Sequence, residues 1–243
     1  MPPSNAETQP AVVDMTKTFT LLSGGVDSST CLYIAIRDFG VENAKAFSVD
    51  YGQLHNREME YAAKLCKQLE IPHQILKLGL QPPSPLTNKE RNKAIPDKSY
   101  GDLGEGVSPS YHYYRNGQLL SLVTAYASAD LQPGEKGVIY SGQHAEDAAN
   151  WAYPDCTPEF LGSQANAIYV GTYFQVRLCV PLTWLQKAEV VKLGQQLGVP
   201  WNLTYSCYHG GELHCGLCPT CRARRAAFGI ANVKDPTTYT SAS

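Results

Sequence analysis

The sequence predicts an α/β protein, a parallel sheet with helices on both faces, carrying a metal-binding segment near its C-terminal end. Three observations lead there. Short apolar runs alternate with amphipathic stretches over 19–78, the pattern of strand, crossover helix and parallel strand. A Ser/Gly-rich turn separates the first apolar run from the first helical pattern, the place where such folds hold phosphate groups. Four of the eight cysteines fall between positions 207 and 221, a spacing that reads as metal ligation.

The elements follow in order. Residues 1–16 are polar and unpatterned and read as a flexible tail. Phe19-Thr20-Leu21-Leu22 is the first strand, and Cys31, Leu32, Ile34, Ala35 and Phe39 mark a helix closed by Gly40. A second strand spans 44–49. A helix over 56–69 sets Met59, Ala62, Ala63, Cys66 and Leu69 near one face, and a third strand runs over 73–78. Residues 79–110 break the rhythm with five prolines and read as an insertion or lid. The pattern resumes with a helix over 116–130, a strand over 137–140, a further strand over 176–180, and a helix over 187–197 ended by Gly198. On this reading 17–200 form a nucleotide-binding domain, 201–230 a metal-binding segment packed on it, and 231–243 a tail.

Composition narrows the function. A chain of 243 residues suits one large domain at roughly 150 residues per domain, and should bury roughly 70–75% of its extended surface without disulfides. At 43% hydrophobic and 17% charged residues it is neither collagen-like nor wholly disordered. A net charge of −2 argues against a basic face for a long nucleic acid and favours small ligands. No apolar run reaches the roughly 18 residues of a membrane span, and the opening residues lack a secretory pattern. With cysteines clustered rather than arranged as a disulfide framework, the expected location is the cytoplasm.

Leu22-Ser23-Gly24-Gly25-Val26-Asp27-Ser28 joins the first strand to the first helix. Backbone N–H groups at a helix start carry positive partial charge, and glycines let a phosphate approach them. Ser23 and Ser28 add hydroxyl donors, and Asp27 can hold Mg²⁺ or cap the helix. No lysine follows the glycines as in a Walker loop. The hexapeptide from Ser23 resembles the pyrophosphate loop of ATP pyrophosphatases, which split ATP between its α and β phosphates. That resemblance implies attack of a substrate oxygen on the α-phosphate, with the enzyme positioning groups and stabilising negative charge. Asp50-Tyr51-Gly52-Gln53 ends the second strand, where an open sheet places nucleotide contacts, or is a plain turn.

Cys207, Cys215, Cys218 and Cys221 have the spacing C-x7-C-x2-C-x2-C. Four soft ligands suit a closed, tetrahedral, structural Zn²⁺, an iron–sulfur cluster being the alternative and buried free thiols a third. His209 and His214 are surplus to such a site and read as surface or substrate-side residues.

Together these motifs resemble the 7-cyano-7-deazaguanine synthase family. The resemblance runs from about Phe19 to Phe228 and is carried by Gly142-Gln143-His144-Ala145-Glu146-Asp147, by Tyr153-Pro154-Asp155-Cys156-Thr157-Pro158-Glu159-Phe160, by Asp50-Tyr51-Gly52-Gln53 with His55, by Arg115-Asn116, by Lys187-Ala188-Glu189, and by Ser206-Cys207-Tyr208 through Cys221. It implies a Rossmann-like sheet of the adenine nucleotide alpha-hydrolase type. It also implies an ATP-dependent carbon–nitrogen ligase that takes 7-carboxy-7-deazaguanine and ammonia through adenylated acid and amide to the nitrile, as a homodimer. Two waters are removed, so two ATP are implied. Ser23, Asp27, Ser28 and Lys187 are then the candidate catalytic residues. Arg115 is a candidate for the substrate carboxylate, Asp147 or Asp155 for the guanine-like edge and Tyr153 for stacking on the ring, with Asn116 and Glu146 as further substrate-binding candidates.

The run Tyr111-His112-Tyr113-Tyr114 before Arg115 departs from the family pattern. It leaves open a relative that stops at the amide or joins the deazapurine to another amine, such as a protein N-terminus, or a lid that is simply repacked. A tRNA-thiolating relative, and a non-catalytic zinc module binding nucleic acid through Arg222, Arg224 and Arg225, are further alternatives.

Overall fold

The first apolar run becomes the central strand of a five-stranded, wholly parallel sheet. The computed structural model describes residues 16–240 apart from 80, 94, 96 and 98–105. Strands β1 (Thr16–Leu21), β2 (Ala44–Asp50), β3 (His73–Lys77), β4 (Lys136–Tyr140) and β5 (Val176–Cys179) lie in the order β3-β2-β1-β4-β5. Thr20 stands opposite Ala46 on one side and Tyr140 on the other. The order reverses between β1 and β4, and a crevice opens there beyond the carboxyl ends of the strands.

The period-2 alternation of the strands sorts the two layers. Phe19, Phe47, Val49, Leu76 and Ile139 point to one face, where Leu119, Leu120, Val123 and Ala127 of α4 (Arg115–Asp130) and Ile168 of α6 (Pro158–Gly171) cover them. The other face takes α1 (Val26–Phe39) and α2 (Arg57–Leu69), which meet Leu22, Ala44 and Ala46 through Leu32, Ala62 and Leu65. Against α1, on the same side, lie α7 (Lys187–Leu197) and α8 (Pro219–Ala231), joined through Ile34, Val190, Val191, Trp201 and Phe228.

Several boundaries differ from the sequence reading. β1 begins at Thr16, because Thr16, Thr18 and Thr20 are all buried against the helical layer; 1–15, the rest of the expected tail, lie outside the described residues. Helix α6 begins inside the Tyr153–Phe160 motif, started by Pro158 and capped by the Thr157 hydroxyl, which accepts from Phe160 N at 3.3 Å. Within the insertion, a short helix α3 (Lys89–Asn92) is capped by Asn88; 80, 94, 96 and 98–105, which the insertion includes, lie outside the described residues. The short helix α5 (Ala145–Ala148) follows β4.

The segment assigned to a C-terminal tail is pinned over 232–240. Arg224, fully buried in α8, donates to Asp235 at 3.1 Å, to the Thr204 hydroxyl at 2.9 Å and to the Trp201 carbonyl at 3.2 Å. Tyr239 donates to the same aspartate at 2.6 Å. Arg225 lies over the Tyr239 ring at 4.0 Å, and Arg222 donates to the Leu217 carbonyl at 2.7 Å. Arg224 is thus committed within the fold, and the half-exposed Arg222 and Arg225 each have a partner there. Among the described residues no helix is long and apolar enough to cross a membrane.

Candidate active site

The site begins with the turn after β1. Gly24 has φ +90°, and a Cβ there would stand 2.1 Å from the Glu58 carbonyl oxygen in α2, so only glycine lets the turn lie this close to α2. Helix α1 then starts at Val26 without a side-chain cap, which leaves its first N–H groups directed out of the helix end. The Ser23 and Ser28 hydroxyls are 3.0 Å apart, Ser28 Oγ accepts from Ser23 N at 3.1 Å, and Gly25 N donates to Ser23 Oγ at 3.3 Å. The result is a cup of hydroxyls and amides, as expected of a phosphate loop.

The turn after β4 closes the cup from the other side of the crevice. Gly142 approaches the start of α1 so closely that a Cβ would meet Ser28 N at 3.0 Å. His144 is buried, with Nε2 3.4 Å from Asp147 and 3.7 Å from Asp27. Lys187, the first residue of α7, donates through Nζ to Asp27 Oδ2, and its backbone N donates to Glu146 at 2.6 Å. Each partner reinforces the other's charge: burial is the largest influence on both, opposing ionisation, yet the lysine holds the Asp27 carboxyl below its ordinary value and the aspartate holds the ammonium above its own. Asp27 Oδ1, Ser141 Oγ, Gln143 Oε1 and His144 Nδ1 are buried polar atoms with no hydrogen-bond partner among the described residues. Orphaned acceptors of this kind mark a place prepared for a ligand or ion.

These residues line a cavity of about 290 Å³. Leu22, Ser23, Gly25, Val26, Asp27, Ser28, Tyr51, Gln53, Arg115, Asn116, Glu146, Asp147 and Lys187 all contribute to its wall, bringing most of the sequence-predicted residues together. Asp50 and Gly52 do not reach the wall: Asp50 accepts from Gly52 N at 3.0 Å and shapes the turn that presents Tyr51 and Gln53. Gly24 serves through its packing on α2.

Two predicted substrate residues do not contribute to this wall. Asp155 is buried and its carboxylate accepts from Asn116 N at 2.9 Å, so it satisfies an open donor at the start of α4. The Tyr153 ring is buried as well, its hydroxyl 2.5 Å from Ser110 and 3.5 Å from Tyr208. The aromatic walls of the cavity are Tyr51, Tyr205 and Tyr208. Arg115 is held against Tyr51, its guanidinium 5.9 Å above the ring and donating to the hydroxyl at 3.4 Å. Among the described residues no carboxylate makes an ion pair with it, which leaves a half-buried cation facing the cavity.

The unusual run before Arg115 ties the insertion down. His112 is buried between Ser84 Oγ at 2.6 Å and Gln81 at 3.0 Å, and burial lowers its pKa.

The four clustered cysteines place their sulfur atoms within 4.8 Å of one another, with Cys215 and Cys221 Sγ 3.8 Å apart. A tetrahedral ion with bonds of about 2.3 Å requires sulfurs about 3.8 Å apart, so the set fits a single metal ion. A cluster would seat each thiolate on a different iron and spread them further. Leu217 N and Cys218 N donate to Cys215 Sγ at 3.3 and 3.2 Å, as suits a thiolate. His214, expected at the surface, is buried, accepts from Ser206 N at 2.9 Å and packs 4.4 Å from Tyr205. His209 lies 3.4 Å from Asp97. The clip supplies Tyr205, Ser206 and Tyr208 to the cavity, and Tyr205 N donates to the Gly24 carbonyl at 2.9 Å.

Sequence reasoning missed Glu58, which lines the cavity from the first turn of α2. An acidic residue in a first helical turn is common for dipole reasons alone, so nothing marked it.

Comparison with known proteins gives concordant matches. Residues 17–232 match the family model described as queuosine biosynthesis protein QueC. The 7-cyano-7-deazaguanine synthase of Caldicellulosiruptor bescii is 39% identical over 224 residues, covering 90% of this chain and 95% of that one. The enzyme of the same description from Thermoplasma acidophilum is 37% identical, covering 92% of each chain. Among solved structures, the U34-tRNA thiolase of Methanococcus maripaludis superposes with a TM-score of 0.47 at 17% identity, over 90% of this chain and 66% of that one.

Proposed function

The chain belongs to the QueC family, and from that premise we propose that it is an ATP-dependent ligase that converts 7-carboxy-7-deazaguanine and ammonia into 7-cyano-7-deazaguanine. The observation that carries this reading is the match over 17–232 with relatives of that activity. The cavity supports it, with an uncapped helix start, two hydroxyls and Lys187 on one side and a half-buried Arg115 on the other.

The chemistry dictates the order of events. A carboxylate oxygen is a poor leaving group, so the acid must first be converted to an adenylate. The amide oxygen poses the same difficulty, and a second ATP is consumed. In each cycle the Ser23–Ser28 turn holds the departing pyrophosphate through N–H groups and hydroxyls, and Lys187 offsets the charge developing on it. Arg115 orients the substrate carboxylate, Asn116 lies beside it, and Glu146 or Asp147 accepts from the ring edge. Tyr51 and Gln53 border the nucleotide at the end of β2. Asp27, through its unpartnered Oδ1, is the side chain suited to Mg²⁺, which supplies charge neutralisation of the phosphates when bound.

Cys207, Cys215, Cys218 and Cys221 hold zinc with no open position, so the ion shapes the wall that carries Tyr205 and takes no part in the bond changes. A homodimer is the expected assembly, checked by light scattering. The decisive test is incubation of the purified protein with 7-carboxy-7-deazaguanine, ammonium, ATP and Mg²⁺. Nitrile with two AMP per turnover, and zinc without iron by elemental analysis, are expected. Release of ADP, or amide as the end product, refutes the reading.

A further inference from the structure

The synthase reading leaves the nitrogen donor without a residue. At neutral pH ammonia is present mostly as ammonium, which has no lone pair with which to attack an adenylate. A site for this reaction must hold the cation and remove a proton. Four carboxylates line the cavity, and three are engaged: Asp27 by Lys187, Glu146 by the Lys187 backbone N–H, and Asp147 by His144. Glu58 alone of the four makes no hydrogen bond or ion pair with a described residue. Its backbone carbonyl abuts Gly24 of the phosphate loop, while its carboxyl lies within electrostatic reach of Arg115, Tyr51 and Tyr205. It therefore stands near both the loop that takes the phosphates and the cation that takes the substrate carboxylate.

We propose that Glu58 is the catalytic base for the nitrogen donor, binding ammonium as an ion pair and accepting its proton. The proposal rests on the synthase reading. Proton transfer from ammonium gives ammonia and the carboxylic acid. The ammonia lone pair forms the C–N bond, the C–O bond to AMP breaks with its electron pair retained by AMP, and the surplus proton on nitrogen passes to solvent, as does that on Glu58. In the second cycle the amide oxygen displaces pyrophosphate from ATP and one N–H proton passes to solvent, leaving an O-adenylated imidate. The carboxylate takes its remaining N–H proton as the C–O bond breaks with its electron pair retained by AMP, and the nitrile forms. One carboxylate thus removes a proton from nitrogen twice. Burial, the largest influence, pushes its pKa up to about 7 against the lowering effect of Arg115; a base poised there takes and releases protons near neutrality.

The test is Glu58→Gln in the zinc-loaded full chain. Exchange of pyrophosphate into ATP, driven by 7-carboxy-7-deazaguanine without ammonium, should stay within about threefold of wild type, whereas nitrile formation from ammonium should fall by roughly 100-fold or more. Hydroxylamine, a nucleophile already neutral at this pH, should restore hydroxamate formation to within about tenfold of wild type. Glu58→Asp keeps the charge and should retain part of the ammonium-dependent rate with a raised KM for ammonium; if Glu58→Gln does not fold, an unchanged KM in Glu58→Asp overturns the proposal. Exchange that falls in step with nitrile formation, failure of hydroxylamine to rescue, or a wild-type ammonium rate in Glu58→Gln also overturns it. Absence of exchange in the wild-type protein would instead refute the synthase reading itself.

Discussion

Gly24→Ala is the sharpest probe of how the phosphate loop is held. At φ +90° the added methyl would stand 2.1 Å from the Glu58 carbonyl oxygen and 2.9 Å from Ala62 N. Both are backbone atoms of α2 and cannot swing aside as a side chain would. The left-handed region costs an alanine roughly 1–2 kcal/mol, and displacing the loop or α2 to relieve the contact adds a comparable amount. A total near 3 kcal/mol corresponds to a fall in Tm of roughly 6–12 °C for a chain of this size. The loop also accepts from Tyr205 N through the Gly24 carbonyl, so the shift should weaken ATP binding as well as lower Tm. Gly162→Ala is the control: it lies in α6 with nothing within 4 Å of the new methyl, and should be neutral or stabilising by up to about 1 kcal/mol. Calorimetry on the zinc-loaded protein and ATP titration check both. A Gly24→Ala protein that melts and binds ATP like wild type would refute the argument that α2 fixes the loop.

Three further outcomes follow from the geometry. Lys187→Ala should lower the rate of AMP formation by roughly 10²–10³-fold, and it leaves Asp27 buried without its cation, so Tm should fall too. Asp155→Ala removes the acceptor at the start of α4 and should cost about 1–2 kcal/mol of stability while leaving the KM for the deazapurine unchanged; a selective rise in that KM would return Asp155 to the substrate site. The raised pKa of Glu58 fixes the sign of a pH effect. Ionising it in the fold is unfavourable, so wild-type stability falls as pH rises from its ordinary value near 4.5 through about 7. Glu58→Gln should therefore raise Tm relative to wild type at about pH 8 and make little difference at about pH 5, and melts at the two pH values decide it.

The sheet was legible because its strands and the helices between them keep their own hydrophobic periods. Phe19, Phe47 and Ile139 on one face and Ala44 and Ala46 on the other are readable as alternation, and the turn at Ser23–Ser28 announces itself by its glycines. Helix α6 was not foreseen because Pro158 and Thr157, sound signals of a helix start, sit within a run read for substrate contacts. The same overlap hid the internal hydrogen bonds of Asp155 and Tyr153, since a carboxylate that caps a helix and one that meets a ligand look alike in one dimension. Glu58 was hidden for the opposite reason. Its importance arises only when α2 is laid beside Gly24 and across from Arg115, a juxtaposition set by tertiary packing. Likewise Arg222, Arg224 and Arg225 read as a basic surface until Asp235, Tyr239 and the Leu217 carbonyl are brought to them.

The hydrogen bond from Tyr205 to the Gly24 carbonyl joins two parts that carry different cargoes. With the clip holding zinc and the Ser23–Ser28 turn holding ATP, as proposed, cells starved of zinc would yield a preparation in which a fraction of molecules has lost its hold on ATP, though no residue of that turn has changed. Turnover per milligram would drop in proportion to metal content while the apparent affinity of the surviving molecules stayed the same. Such a batch would mimic a catalytic lesion and be cured by reconstitution.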